Sequence, residues 1–392
     1  MVTKSARYDR TGGSPKNVLL PGQVVVREGT TNVTLSVRHW PRLLARYTEQ
    51  VKADTRRDID ALVGRLVDLQ NRADSGTLGA TPIDLEMDTA TFGTAAAAVI
   101  ESGSPSRLDA VLREADERLR AYSTEPSDDE ARAATLDRLF VLGLAAMLYG
   151  TERQFERVME VIENYYDSVP RLPHAVRHTT PHERASTEAW RDVAVRLFVL
   201  GAEAVRREKW PQLRRITLHR YDSSDAYGYV SWIRHANTSA ARADVLDEPG
   251  QLQKAAIISR AMNAIATTPG LAPDLTSGLT TAAAVLEGSP ALDALCQFDV
   301  LWCTIAFSVS RSSHDFYPSS AGFEQQHAYP AFDGLVRDQP MRRALFPGMS
   351  DAEIAEAVTV VAESAQRQSA VLPGFDWWGE LPDSVTKWIA LV

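Results

Sequence analysis

The stretch Leu139–Tyr166, LFVLGLAAMLYGTERQFERVMEVIENYY, has a counterpart at Leu197–Tyr221, LFVLGAEAVRREKWPQLRRITLHRY, offset by 58 residues. In both, an apolar run containing a glycine (Gly143, Gly201) is followed by a polar break and a second apolar period. Leu136, Leu139, Phe140, Gly143 and Met147 recur with helical spacing and share one face. Phe155, Val158, Met159, Ile162 and Tyr166 keep the same rhythm, so the segment predicts two helices that pack antiparallel across a short turn. Gly150 is expected to end the first helix by entering the left-handed conformation, which glycine adopts without penalty. In the second stretch the stripe is Val193, Leu197, Leu200, Gly201 and Ala204, then Leu213 and Ile216. Trp210-Pro211 opens its second helix, with proline near the first helical position, where its missing N–H costs nothing. Gly143 and Gly201 are expected at close helix–helix contacts.

Leu142-Gly143, the small Ala146, and Gly150 seven residues after Gly143 resemble the core spacing of a tetratricopeptide (TPR) repeat, whose small residues let paired helices approach. Phe155 stands where that family has a small alanine, and Glu208 stands at the turn glycine of the second stretch. The offset of 58 residues also exceeds the repeat of about 34. The resemblance implies TPR-like helical hairpins, irregular in spacing, of the kind that stack into an α-solenoid.

The chain has 392 residues, 44% of them hydrophobic, enough for a sizeable core, and its 24% charged residues are typical of globular proteins. No uninterrupted apolar run approaches about 18 residues, and the N-terminal MVTKSARYDRTGGSPKN has no apolar segment of the signal-peptide kind. A cytoplasmic protein without a membrane partner is expected. Cys296 and Cys303 lie seven apart in an apolar helical run, two turns along one face. Two turns separate them by roughly 10 Å, beyond disulfide reach, so both are expected to pack in the core. The net charge of −9 argues against a generally basic nucleic-acid-coating protein while leaving room for a local basic patch.

Along the chain, Gly22–Leu35, GQVVVREGTTNVTL, is the clearest β signal: Val24–Val26 form a strand, Glu28-Gly29 turns, and Val33–Leu35 returns. Val24, Val26, Arg27, Gly29, Thr30 and Thr31 resemble the closing strand of the AlbA_2 domain of bacterial Schlafen-like proteins. The acidic residues of that family's nuclease members would lie upstream of Gly22, where 21 residues stand. The resemblance therefore implies the tail of such a domain, through a misassigned start or through decay, and a protein lacking the catalytic half.

Trp40-Pro41 starts a long amphipathic helix with Leu43, Leu44, Tyr47, Val51, Ile59, Leu62, Leu66 and Leu69 as its stripe. Residues 71–81 read as a loop. Asp88 or Thr89 caps an alanine-rich helix, Ser104-Pro105 caps the next, and Ser350 caps a helix over 351–368. Gly250–Thr268 reads as one helix, Leu279–Leu286 and Leu292–Phe307 as a further pair, and Arg311–Tyr329 as an irregular aromatic loop. The end, FDWWGELPDSVTKWIALV, packs as an aromatic cap or a short helix.

Of the residue clusters that could carry chemistry, His174, His178 and His182 with Glu183 have zinc-like spacing, but Pro173 and Pro181 interrupt any single helix holding them. Ser312, Ser313, His314 and Asp315 contain triad residue types as sequence neighbours that cannot face one another productively. No nucleophile elbow, Walker loop or dinucleotide fingerprint occurs. No catalytic, cofactor or metal residue is assigned. Residues 191–222 carry eight basic side chains against four acidic ones, a local net of +4, with Trp210 and Tyr221 interleaved. That pattern suits a surface that meets phosphates and stacks bases, and it suits better the solvated face of a helical hairpin. Its candidate nucleic-acid contacts are Arg206, Arg207, Lys209, Trp210, Arg214, Arg215 and Arg220. Replacing Arg207, Arg214 and Arg215 together by glutamine should then flatten the salt dependence of binding.

The sequence reads as a mainly α protein of irregular helical hairpin repeats, TPR-like or solenoid-like, with a short N-terminal β-hairpin. Four regions are expected: 1–38, a flexible start and the β-hairpin; 39–123, an N-terminal helical region; 124–240, the TPR-like hairpins; and 241–392, a C-terminal helical region. The leading function is a non-catalytic scaffold or sensor region that binds another protein. The alternatives are a nucleic-acid-associated regulator of the Schlafen-like type and an enzyme with its site near 311–329.

Overall fold

Leu139–Met147 is buried at every position, and so is Val193–Val205, in the computed structural model of the chain. An amphipathic surface helix would bury one stripe, whereas a helix apolar all round belongs in a core. The structure describes residues 2–3, 23–28, 31–36, 83–124, 129–169, 181–218, 220–221, 230–231, 256–268, 271–272, 290–310, 318, 320, 324–371 and 378–392. The helix expected from Trp40, the loop at 71–81 and the helix expected at Leu279–Leu286 lie outside them.

The chain divides into two units, Met1–Ala80 and Thr81–Val392. In the first, β1 (Val2–Thr3), β2 (Gln23–Glu28) and β3 (Thr31–Ser36) are adjacent in that order and antiparallel, with Val24 opposite Leu35 and Val26 opposite Val33.

The second unit is mainly helical. Its helices are α1 (Thr89–Glu101), α2 (Pro105–Thr124), α3 (Asp129–Tyr149), α4 (Glu152–Ser168), α5 (Pro181–Arg206) and α6 (Trp210–Thr217). After the short strands β4 (Arg220–Tyr221) and β5 (Val230–Ser231) come α7 (Ala256–Thr267), α8 (Pro290–Ser310), α9 (Tyr329–Arg337), α10 (Gln339–Leu345), α11 (Asp351–Val371) and α12 (Asp383–Leu391). Helix α3 is enclosed by α1, α2, α4 and α5, while α5 packs on α3, α4, α6, α7 and α8, and α8 on α5, α7, α9 and α11. The burial of the 139–147 and 193–205 runs follows from this enclosure. One continuous apolar core joins the helices of 124–240 to those of 241–392 through α5.

Local chemistry fixes the helix ends. Asp88 accepts from the Thr91 N–H at 3.0 Å at the start of α1, Thr151 and Gln154 form a capping box on α4, and Ser350 and Glu353 form another on α11. The sequence reading of 311–329 as a loop stopped short of α9 and α10, each of which carries proline in its first turn (Pro330, Pro340). Those prolines open helices and do not break them, and Asp338 caps α10 by accepting from the Met341 N–H at 3.1 Å.

The three singled-out glycines have different reasons to be small. At Gly201 a Cβ would lie 2.2 Å from the ring of Phe298, so α5 and α8 touch there without room for a methyl group. At Gly143 it would meet Val158 at 3.5 Å and Leu200 at 3.8 Å, ordinary contact, so the close approach expected there is not required. Gly150 is not left-handed; the described glycines with positive φ are Gly103 and Gly348. Its constraint is space, since a Cβ would stand 2.6 Å from the Ala146 carbonyl oxygen and 3.0 Å from Ile100.

The left-handed turn residue lies in the second hairpin, where Glu208 has φ 53°. The Lys209 N–H donates to the Ala204 carbonyl at 2.8 Å and the Glu208 N–H to the Val205 carbonyl at 3.1 Å, the pairing of a Schellman motif with Glu208 where glycine is usual. Left-handed backbone costs a residue with a Cβ roughly 1–2 kcal/mol, and glycine's extra freedom in the unfolded chain offsets part of any relief. Glu208→Gly is therefore expected to raise unfolding free energy by about 0.5–1 kcal/mol in chemical denaturation; a lower midpoint would contradict the turn geometry.

Candidate functional site

Part of the basic segment is built into the helix junctions, where Arg196, Arg214 and Arg215 meet partners far away in the chain. Arg215 on α6 reaches α4: its Nε donates to Glu156 at 2.5 Å, one Nη donates to Glu163 Oε2 at 2.9 Å, and the other donates to Glu163 Oε1. The side chains of Arg215 and Glu163 are 24% and 11% exposed, while Glu156 is 38% exposed, so Glu163 is the carboxylate that depends on the pair. Burial lowers the guanidinium pKa, but the hydrogen bonds and charges of the two glutamates outweigh it and raise it above its ordinary value. Arg214 donates to the Leu345 carbonyl at 3.1 Å, serving the C-terminal end of α10.

Upstream, Arg196 on α5 donates to Asp137 at 2.7 Å and to the carbonyls of Asp192 and Ala133, and Arg132 donates to Asp192 at 3.1 Å. These bonds tie α3 to α5 through side chains that are 4–21% exposed. Glu203, counted from the sequence among the segment's acidic charges, is 0% exposed.

Of the candidate nucleic-acid contacts, the structure thus gathers Arg214 and Arg215 into inter-helix bonds. Arg206, Arg207, Lys209 and Trp210 cluster at the α5–α6 turn and keep part of their surface, Trp210 packing partly against the core. Arg220 lies in β4, opposite Ser231 of β5. Charge balance along the sequence signalled a basic stretch, but it could not show that the balancing carboxylates, Glu156 and Glu163, sit on the preceding hairpin.

A second polar cluster, not singled out by the sequence, surrounds α8. The Asp299 carboxylate is 0% exposed and accepts from the Trp302 indole N–H at 3.0 Å and from the Ser320 backbone N–H at 2.7 Å. The Ser320 carbonyl in turn accepts from the Trp378 indole at 3.3 Å. Six residues earlier on α8, Asp293 meets His327 Nδ1 at 2.6 Å. Tyr329 donates to the Glu380 carbonyl at 2.7 Å and also bonds Gln325, and burial pushes its hydroxyl up to about 12. Six helical residues span roughly 9 Å, so the Ser320–Asp299 and His327–Asp293 contacts are separate fastenings along α8. Arg342 makes a comparable junction: it donates to the Leu335 and Val336 carbonyls at 2.5 and 2.8 Å and to Asp351 at 3.1 Å, under the ring of Trp388 at 5.7 Å. The described bonds of both clusters join neighbouring residues and helix ends to α8 and α9.

His174, His178 and the Ser312–Asp315 group lie outside the described residues, and His182 falls in the first turn of α5. Among the described residues no group of three or more histidine, cysteine, aspartate or glutamate side chains is placed to hold a metal. Cys296 and Cys303 are buried thiols on α8, with no disulfide between them. Burial pushes the Cys296 thiol well above its ordinary value, and the nearby Asp299 and Asp293 add to the effect. Both thiols are 0% exposed, out of reach of a reagent that attacks the thiolate, so both cysteines are expected to stay unmodified by an aromatic disulfide reagent in the native protein and to react in denaturant; prompt native labelling would contradict the packing of α8. Pro290–Val309 is long and apolar enough by length and composition to cross a membrane, and 78% of it is buried against the other helices.

No family model, no curated protein and no solved structure matches this chain.

Proposed function

We propose that this chain is a non-catalytic helical scaffold or sensor region of the cytoplasm that binds another protein, built from irregular TPR-like hairpins behind a short N-terminal β-hairpin. The observation that supports it is how the described side chains capable of chemistry are employed. Arg196, Arg215, Asp299 and His327 each join two segments of the second unit, by bonds to Asp137, Glu163, Ser320 and Asp293. Groups engaged in this way stiffen a body and are poorly suited to exchange protons with a substrate, since removing one partner leaves a buried polar group unpaired. Rigid helical bodies present extended side-chain surfaces to protein partners.

The second reading, a nucleic-acid-associated regulator of the Schlafen-like type without its catalytic half, is favoured by the partly exposed Arg206, Lys209 and Trp210 at one turn. The two separate in an affinity experiment with the immobilised full chain and native lysate, with and without nuclease. The scaffold reading expects a protein retained in stoichiometric amount after nuclease and moderate salt. Retention of nucleic acid alone, abolished by nuclease, would replace it by the regulator reading.

A further inference from the structure

We draw no further inference here: the strongest candidate, the side-chain cluster of Asp299, Ser320, His327 and Trp378 around the buried helix α8, carries nothing because its described bonds fasten neighbouring segments to that helix and nothing in the structure shows a ligand for it.

Discussion

Gly201→Ala is expected to lower the unfolding free energy by about 2–3 kcal/mol, at the upper end of overpacking costs, whereas Gly143→Ala is expected to leave it unchanged or raise it by up to about 1 kcal/mol. The two glycines occupy equivalent places in the matched stretches LFVLG, and only the environment differs. The methyl group at 201 would stand 2.2–2.4 Å from three ring atoms of Phe298. That ring cannot swing away, because it is fully buried and packed edge-on against Phe198 at 5.3 Å and 88°. At 143 the nearest atoms are at ordinary contact distance, so the helix propensity of alanine over glycine decides the sign. Chemical denaturation of both single variants, with Phe298→Leu added to Gly201→Ala, reads the difference; the smaller side chain should restore part of the loss. Equal behaviour of the two alanine variants would mean that α5 and α8 do not meet at Gly201.

Arg215→Ala is expected to cost about 2–4 kcal/mol, chiefly by leaving the enclosed Glu163 carboxylate without its bidentate partner. The Glu156 arm adds little, since that carboxylate is 38% exposed and solvent screens it. Arg215→Met combined with Glu163→Met should recover much of the loss, because an apolar pair avoids burying a lone charge. An Arg215→Ala protein as stable as the wild type would put the guanidinium in solvent. The same placement bears on nucleic-acid tests: replacing Arg207, Arg214 and Arg215 together would loosen the α4–α6–α10 junction as well as remove positive charge. Variants limited to Arg206 and Lys209 avoid the Glu163 and Leu345 contacts.

How much of this was legible in the sequence follows from the range of each interaction. The stripes Phe155, Val158, Met159, Ile162 and Tyr166 on α4, and Leu213 with Ile216 on α6, are buried as their spacing implies, because helical periodicity is a local property. The caps read at Asp88 and Ser350 are equally local, each side chain serving an N–H three residues on. Periodicity marked only one face of the 139–147 and 193–205 runs as apolar; for LFVLGLAAM the signal of burial on every side is the unbroken apolar composition, while what covers it lies elsewhere in the chain. The basic segment shows the same limit. Arg215 finds its carboxylates 52 and 59 residues away, and Arg214 its carbonyl 131 residues away. Without those partners a run of arginines reads as surface. Glu208 stands where the repeat pattern has a turn glycine, and its left-handed backbone, which ends α5, is set by a hydrogen-bonded turn that the side-chain pattern does not show.

The measurement that tests most directly whether the basic segment is a fastening or a phosphate-binding surface is a fluorescence-anisotropy titration of the full chain. Single- and double-stranded oligonucleotides would be titrated at two salt concentrations, with wild type beside an Arg206→Gln/Lys209→Gln variant. With a net charge of −9 repelling polyanions at long range, local basic charges act only within a Debye length of about 8 Å. The expected result is no binding tighter than about 1 μM at physiological salt and no difference between the two proteins. A dissociation constant below about 1 μM, with a salt slope that falls by about 1–2 in the double variant, would contradict this account and make the α5–α6 turn a nucleic-acid interface.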